Sequence, residues 1–280
     1  MADVPSDARG ILWDIDDTLF DYSGAEAAGI VEHLRTEGLL GEFDSPEQAL
    51  GLWREDMERS YARFLAGELG FREHRRERAH SFLARTGRTL RGDRAADAWF
   101  KRYIRCYERH WGLFPDVLPA LDRLRDGYAH GLLSNSSSAV QRRKLKRLGV
   151  HRRFRSLVCS DDIGCAKPAP EAFLAGCAAL GLPSARVAYV GDKLTTDALG
   201  ALGAGLHPVW LDRPAADPVP APPGVRRIRT LADLPGVLEL IDFGAVPRIG
   251  YCSSCCAARE GRGRPKGSHQ DHLDSQWGMV

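Results

Sequence analysis

The chain has 280 residues, of which 44% are apolar and 27% are charged, and its formal net charge is +2. This balance is typical of a globular protein and excludes collagen-like and wholly disordered classes. The length suits one core domain that carries a smaller insert. No run approaches the roughly 20 uncharged apolar residues of a membrane span. The first nine residues lack the apolar run of a secretory signal, so we expect a cytoplasmic location.

The cysteines are unevenly distributed, which favours reduced and mostly buried thiols over a disulfide framework. Four are scattered through the body and three lie near the end of the chain: Cys106, Cys159, Cys165, Cys177, Cys252, Cys255 and Cys256.

Short apolar runs alternate with stretches of helical periodicity over much of the chain, and this alternation predicts a parallel sheet with helices on both faces. The predicted strands are residues 10–13, 129–134, 156–160, 186–190 and 208–211, with a weaker candidate at 226–229. The predicted helices of this part are residues 116–126, 139–148, 170–180 and 196–204. The expected fold class is therefore a doubly wound, Rossmann-like α/β core.

Residues 23–111 break the alternation, because they show amphipathic helical patterns and no convincing strand. We therefore predict an α/β core formed by residues 1–21 and 112–243, with an all-helical cap at 22–111 inserted after the first strand. The basic stretch at 71–94 leaves two interpretations open, steering of an anionic substrate or an ordinary solvated helix face. Residues 244–280 are rich in Gly, Arg and Ser without periodicity, and we predict a disordered or only locally ordered tail.

The strongest chemical signal is a pair of acids, Asp14 and Asp16, directly after the first predicted strand. In an open α/β sheet, ligands bind beyond the carboxyl ends of the strands where the strand order reverses. Two carboxylates on one short loop there can reach one hard cation and one phosphoryl group. The plainer alternative is an acidic turn or a helix cap at the end of a strand.

Three later strands are followed by further polar residues that suit the same site. Ser134 and Asn135 offer a hydroxyl and backbone amides, Lys167 precedes a proline, and a Gly-Asp segment supplies two more acids. Taken singly, each has an ordinary explanation as turn chemistry, a surface lysine or a helix cap. The two acids of the Gly-Asp segment are Asp192 and Asp197. Taken in order along the chain, these residues predict a shared site.

This ordered set closely resembles the four signature motifs of the haloacid dehalogenase (HAD) superfamily, and the resemblance covers residues 10–212. The motif residues are Asp14, Asp16, Thr18, Ser134, Lys167, Pro168, Gly191, Asp192 and Asp197. A helical module between the first two motifs is similar to the family's helical-cap subgroup, which includes phosphoglycolate and nucleotide phosphatases.

The resemblance implies that Asp14 is a nucleophile forming an aspartyl phosphate and that Asp16 is a general acid and base. It also implies a Mg²⁺ ion held by Asp14, the Asp16 backbone carbonyl and Asp192, with Asp197 as a ligand or outer support. The expected activity is hydrolysis of a small phosphorylated metabolite, such as a nucleotide or a sugar phosphate. Known dehalogenases of the family lack an acid in the position of Asp16, because a halide leaves without a proton.

Phosphate oxygens are expected to bind Thr18 with its neighbouring amides, Ser134 with the Asn135 amide, and Lys167. A phosphomutase or a dehalogenase on the same fold remains an alternative. A second alternative is a non-catalytic nucleic-acid binder that uses its basic tail.

The tail contains two weaker motifs. Cys252 and Cys255, followed by His269 and His272, form a candidate zinc site, although the histidines are spaced more tightly than usual. Residues 262–265 resemble the core of a minor-groove AT-hook. A basic tail of this kind is more often a solubilising extension, so nucleic acid is not an expected partner. The oligomeric state is left open.

Overall fold

The computed structural model describes residues 8–213 and 220–245, and the six strands of this part form one parallel sheet. Their order in the sheet is β3-β2-β1-β4-β5-β6, which confirms the predicted doubly wound α/β class. Predicted and observed strands differ by one residue at several ends. The strands are β1 (Gly10–Trp13), β2 (Ala129–Ser134), β3 (Ser156–Cys159), β4 (Val187–Gly191), β5 (His207–Leu211) and β6 (Arg226–Ile228).

Ten α-helices occur within the described residues, and none of the described helices is long and apolar enough to cross a membrane. The predicted helix at 196–204 is instead a π-helical segment, Leu194–Leu199, followed by one short α-helix. The helices are α1 (Tyr22–Thr36), α2 (Pro46–Leu65), α3 (Phe71–Ala84), α4 (Asp93–Arg109), α5 (Val117–Leu124), α6 (Ser138–Arg147), α7 (Ser160–Ile163), α8 (Pro170–Leu180), α9 (Gly200–Gly203) and α10 (Leu234–Glu239).

The central strand β1 is buried along its whole length, as expected for a parallel strand covered by helices on both faces. Its Leu12 packs in a core cluster with Phe173 of α8 and Tyr189 of β4. Helix α8 lies close to the sheet because Gly176 faces Leu12. A Cβ at position 176 would lie 2.7 Å from Leu12 Cδ1, so any other residue here would require the Leu12 side chain to move.

Residues 21–112 form one compact unit, and the remainder of the described chain forms a second. This division lies one residue outside each predicted boundary of the helical insert. The insert contains α1 to α4, in which α1 packs on α4 and α2 packs on α3. The two motifs predicted in the tail, the candidate zinc site from Cys252 to His272 and the AT-hook-like residues 262–265, lie outside the described residues, as do all but the first two residues of the predicted tail.

The interior of the helical unit is built around Trp53, whose ring makes edge-to-face contacts with Phe82 and Tyr103. The guanidinium of Arg78 lies 3.5 Å from the centre of the Trp53 ring and pairs with Glu26 at 3.3 Å. Both members of this ion pair are buried. A buried charge is tolerated here because it is paired and also lies on an aromatic face.

Other arginines of the basic stretch are engaged by acids of the same unit. Arg76 pairs with Asp93 and Asp97, and Arg85 donates to Asp56 at 2.9 Å. Within the helical unit, these acids therefore offset the positive charges of the two arginines. For these two residues, as for Arg78, a structural role explains the positive charge better than steering of an anionic substrate.

In the sheet-containing unit, Asp116 joins three segments that are distant in sequence. Its carboxylate accepts hydrogen bonds from the Arg213 guanidinium, the Thr230 hydroxyl and the Leu231 amide, all at 2.8–2.9 Å. Arg213 also donates to the carbonyl of Thr18 at 3.0 Å. Partial burial alone would raise the pKa of Asp116, but these donors lower it below its usual value.

We predict that Asp116→Ala lowers the free energy of unfolding by about 2 kcal/mol at pH 7, because it leaves several donors without their acceptor. The folded-state pKa lies below the unfolded value of about 3.9, so the stabilisation is present above that pH and is lost as the pH falls through the folded pKa. Urea denaturation of the wild type and the variant at pH 7 and at a series of pH values that extends well below about 3.9 measures both effects. As a control, Asp126→Ala removes a side chain that is 91% exposed, and an equal loss in this variant would contradict the prediction.

Candidate active site

The candidate site lies at the carboxyl ends of the central strands, where the strand order reverses between β1 and β4. Asp14 directly follows β1, and its amide donates to the carbonyl of Val190 at 2.9 Å. The Asp14 side chain is buried. The sheet therefore places this carboxylate at the switch point, where ligands of such folds bind.

The chain after Asp14 turns sharply within a few residues. The amides of Leu19 and Phe20 both donate to the Ile15 carbonyl, and the Asp17 amide donates to the Phe20 carbonyl. Asp17 has a φ of 61°, a left-handed conformation that aspartate tolerates better than most residues. This compact turn returns Asp16 to the same edge of the sheet as Asp14.

The ammonium of Lys167 lies within the site and is buried. It donates to Asp14 Oδ1 at 2.6 Å, to Asp197 Oδ1 at 2.7 Å and to the Tyr189 hydroxyl at 2.8 Å. The two carboxylates raise the pKa of Lys167 and outweigh the opposing effect of burial. Lys167 is therefore a permanent positive charge held against Asp14.

Asn135 fixes the backbone of Lys167 through two hydrogen bonds. Its amide nitrogen donates to the Lys167 carbonyl at 2.8 Å, and its amide oxygen accepts from the Lys167 N–H at 2.7 Å. We predicted Asn135 as a phosphate-binding residue through its backbone amide. The phosphate contact of the backbone amide stays a prediction, and the structure shows in addition that the Asn135 side chain joins the end of β2 to the segment that carries the lysine.

The last two predicted acids approach Asp14 from the loop after β4. Asp14, Asp192 and Asp197 each place a carboxylate oxygen within 4.8 Å of the others. Asp197 also accepts from the Lys193 amide at 3.0 Å, and a Cβ at Gly191 would lie 2.5 Å from its Cγ. Glycine at position 191 is thus required for Asp197 to reach the site.

The crowding of acids changes their ionisation. Burial, with smaller contributions from Asp197 and Asp16, raises the pKa of Asp14 to about 7 against the opposing effect of Lys167. Burial, together with the nearby Asp197 and Asp14, also raises the pKa of Asp192 well above its usual range. The cluster places three carboxylates against the single buried ammonium of Lys167, so these acids outnumber the positive charge that faces them.

The second acid of the first motif has its own partners. Asp16 Oδ2 accepts from Gln141 Nε2 at 2.7 Å, and Asp16 Oδ1 pairs with the ammonium of Lys144. Gln141 Nε2 also lies 3.1 Å from Ser134 Oγ. Both Gln141 and Lys144 belong to helix α6 and are buried.

A single cavity contains most of the predicted site residues, and it also includes Thr196, which the sequence analysis did not single out. Its lining residues are Asp14, Asp16, Asp17, Ser134, Asn135, Lys167, Asp192, Lys193, Thr196 and Asp197.

Thr18 is the predicted site residue that does not line this cavity. Its side chain is fully buried, and its Oγ1 has no hydrogen-bond partner in the described part of the chain. The hydroxyl is therefore enclosed by protein, in contrast to the predicted contact with phosphate. The turn after β1 directs this side chain into the interior.

Besides Thr196, sequence reasoning missed three side chains that contact the site residues: Tyr189, Gln141 and Lys144. Tyr189 lies within an apolar strand, where a hydroxyl gives no separate signal. Gln141 and Lys144 are three residues apart, so they share one face of α6. The sequence signal that could have identified them is the presence of two polar residues on the apolar face of an amphipathic helix, where polar side chains need buried partners.

These observations define an α/β protein with a carboxylate-rich, lysine-containing site at the switch point of its sheet. Within that class, the chain belongs to the haloacid dehalogenase-like hydrolases, because the sequence model of that hydrolase family matches residues 8–205. The resemblance inferred from the motifs is thereby confirmed.

Several curated relatives are similar to the chain. A phosphoserine phosphatase of Thermus thermophilus is 30% identical over 194 residues, which are 69% of this chain and 68% of that protein. A ribulose-1,5-bisphosphate 5-phosphatase of Halopiger xanaduensis is 27% identical over 73% of this chain and 85% of its own length. A glyceraldehyde 3-phosphate phosphatase of Methanopyrus kandleri is 39% identical, but the match spans only 36% of this chain and 43% of that protein.

Solved structures show the same fold. The HAD hydrolase YfnB from Bacillus subtilis, described as bound to magnesium, aligns with a TM-score of 0.65 at 23% identity, over 83% of this chain and 99% of its own. A 2-haloacid dehalogenase from Pseudomonas syringae aligns with a TM-score of 0.58 at 24% identity, over 83% and 99% of the two chains.

We predict that Asn135→Ala lowers turnover of an aryl phosphate by about 10- to 100-fold, because it frees the backbone that positions Lys167. It should also lower the free energy of unfolding by about 1–3 kcal/mol, since two buried hydrogen bonds are lost. Steady-state kinetics and urea denaturation measure the two effects. The matched control is Ser138→Ala, which removes an exposed hydrogen bond to Asp162 nearby. Equal behaviour of both variants would show that the Asn135 contacts are dispensable.

Proposed function

We propose that the protein is a magnesium-dependent phosphomonoester hydrolase that acts on a small phosphorylated metabolite through an aspartyl-phosphate intermediate. The observation that carries this proposal is the buried Asp14 carboxylate, which lies 2.6 Å from Lys167 and beside two further acids. Phosphatases among the curated relatives support the same reaction class.

In the first half-reaction, a carboxylate oxygen of Asp14 attacks phosphorus, and the bond between phosphorus and the ester oxygen breaks. Asp16 donates a proton to the departing alkoxide. Lys167 and the Ser134 hydroxyl stabilise the phosphoryl oxygens as negative charge spreads over them in the transition state. The product of this step is an acyl phosphate on Asp14.

In the second half-reaction, water attacks the phosphorus of the aspartyl phosphate. Asp16, now a carboxylate, accepts the proton of that water. The bond between phosphorus and the Asp14 oxygen breaks, which releases inorganic phosphate and restores the Asp14 carboxylate. Two easier displacements thus replace one difficult hydrolysis.

The acidic cluster has the donor chemistry that a magnesium ion requires. Asp14 and Asp192 supply hard carboxylate oxygens, and the Asp16 backbone carbonyl completes the proposed ligand set. Asp197 serves as outer support, because both of its oxygens already accept hydrogen bonds from Lys167, Tyr189 or the Lys193 amide. The raised pKa values of Asp14 and Asp192 fit a site whose charge is balanced only with a cation. When bound, magnesium would offset the repulsion between these carboxylates and a dianionic phosphate.

Asp16 favours phosphoryl chemistry over dehalogenation, since a halide leaves without a proton. The similarity to solved dehalogenases concerns the fold alone, and it does not supply a reason for an acid at this position. We further propose that the helical unit of residues 21–112 serves as the cap from which substrate selectivity arises. A panel of phosphorylated metabolites, assayed for released phosphate, would identify the substrate class.

We predict that Asp14→Asn lowers turnover of p-nitrophenyl phosphate in magnesium by at least about 1,000-fold, because an amide cannot serve as the nucleophile. Acid quenching during turnover should trap a hydroxylamine-sensitive phosphoenzyme in the wild type and none in the variant. Asp126→Asn, at an exposed position, should match the wild type. Undiminished turnover by the Asp14 variant would remove the proposed mechanism, and release of halide or an isomerised sugar phosphate would replace hydrolysis with another reaction.

Magnesium binding should weaken as the pH falls below about 7, by up to about tenfold per pH unit for each proton displaced. The sign follows from the pKa of Asp14, which is raised to about 7 in the metal-free protein, because a protonated carboxyl must lose its proton to bind a cation. Calorimetric titration with MgCl₂ at pH 6 and pH 8, in buffers of different ionisation enthalpy, measures both affinity and proton release. An affinity that does not change with pH, without proton release, would contradict this prediction.

A further inference from the structure

Asp16, the general acid and base of the proposed mechanism, is contacted by two buried side chains of helix α6. Lys144 pairs with Asp16 Oδ1, and Gln141 donates to Asp16 Oδ2 at 2.7 Å. The side chain of Lys144 is only 2% exposed. The other cations of this helix are exposed: Arg142, Arg143, Lys146 and Arg147. Among the cations of α6, Lys144 is thus the one that is buried, and its buried ammonium pairs with the carboxylate of Asp16.

From this arrangement we propose that Lys144 and Gln141 are positioning residues for Asp16 and that they act on hydrolysis of the aspartyl phosphate. The inference rests on the proposed function, because it assigns partners to the residue that activates water there. Both oxygens of Asp16 accept a hydrogen bond from a donor, which is the bonding pattern of a carboxylate. A carboxylate is the form required to accept a proton from water.

The contacts also determine where Asp16 lies. The Gln141 amide bridges Asp16 and the Ser134 hydroxyl, at 2.7 and 3.1 Å. The Gln141 amide therefore fixes the distance between the Asp16 carboxylate and the Ser134 hydroxyl, which is proposed to bind phosphate. The ammonium of Lys144 is itself restrained, because it lies 4.2 Å from the centre of the Phe20 ring in the turn after β1. Each Asp16 oxygen can accept a second hydrogen bond, so these contacts leave room for water.

In the step concerned, the water oxygen forms a bond to phosphorus and its proton passes to Asp16. The bond between phosphorus and the Asp14 oxygen breaks, and its electron pair returns to the Asp14 carboxylate. Neither Lys144 nor Gln141 gains or loses a proton in this step. Their contribution is the orientation of the accepting carboxylate, on which general-base catalysis depends.

The test separates the two half-reactions with p-nitrophenyl phosphate, whose leaving group needs no proton from Asp16. In Lys144→Met we expect a first turnover within about threefold of the wild type, followed by a steady state about 10- to 100-fold slower. Stopped-flow detection of p-nitrophenolate should show a burst, and acid quenching should show accumulated phosphoenzyme. Gln141→Leu should show the same pattern, and Lys144→Arg should restore part of the steady-state rate because it retains the charge.

The ratio of burst rate to steady-state rate is the decisive quantity, because it does not depend on the fraction of protein that is folded. The matched control is Lys146→Met, an exposed cation of the same helix, which should show wild-type kinetics. Equal slowing of both phases in Lys144→Met, or no slowing of either, would overturn the inference.

Asp16→Asn distinguishes this inference from the proposed function on which it rests. If Asp16→Asn accumulates phosphoenzyme and Lys144→Met does not, the role of Lys144 is wrong while the mechanism stands. If neither the wild type nor Asp16→Asn forms a phosphoenzyme, the proposed function itself fails.

Discussion

The ammonium of Lys167 lies between two buried carboxylates, and the arrangement of the site depends on it. It contacts Asp14 Oδ1 at 2.6 Å and Asp197 Oδ1 at 2.7 Å. Carboxylates this close repel one another where water is largely excluded, so a fixed cation between them is required. Burial nevertheless raises the pKa of Asp14 to about 7. One lysine therefore leaves negative charge that a divalent cation would offset.

The sheet makes this contact possible between residues 153 positions apart. Strand β1 lies between β2 and β4, so the loops that follow these strands converge at one edge. Asn135, at the end of β2, then binds the backbone of Lys167. The lysine is consequently fixed at both ends, through its backbone by Asn135 and through its ammonium by the carboxylates. A long, flexible side chain thereby becomes a positioned charge.

Sequence patterns predicted the strands because buried parallel strands are short apolar runs, and they predicted the acids because these follow strand ends. The same patterns could not reveal that the Thr18 hydroxyl is enclosed, since that depends on the turn around Asp17. They also missed the α6 partners of Asp16, because helical periodicity identifies a face but not its neighbour. Likewise, Arg78 of the basic stretch is buried against Trp53. In each case the missing information is the tertiary partner of a side chain.

The surroundings of Asp16 bear on which reaction the site performs. A residue that only filled space beside Asp14 would not need a buried ammonium and a buried amide as partners, since removing polar groups from water is costly without a compensating role. A halide departs without a proton, so dehalogenation would use a proton-transferring residue only in the hydrolysis of its ester intermediate and not in the departure of the leaving group. Phosphomonoester hydrolysis transfers a proton in both half-reactions, to the alkoxide and from water. The contacts of Asp16 with Lys144 and Gln141 therefore favour phosphoryl transfer independently of the nucleophile.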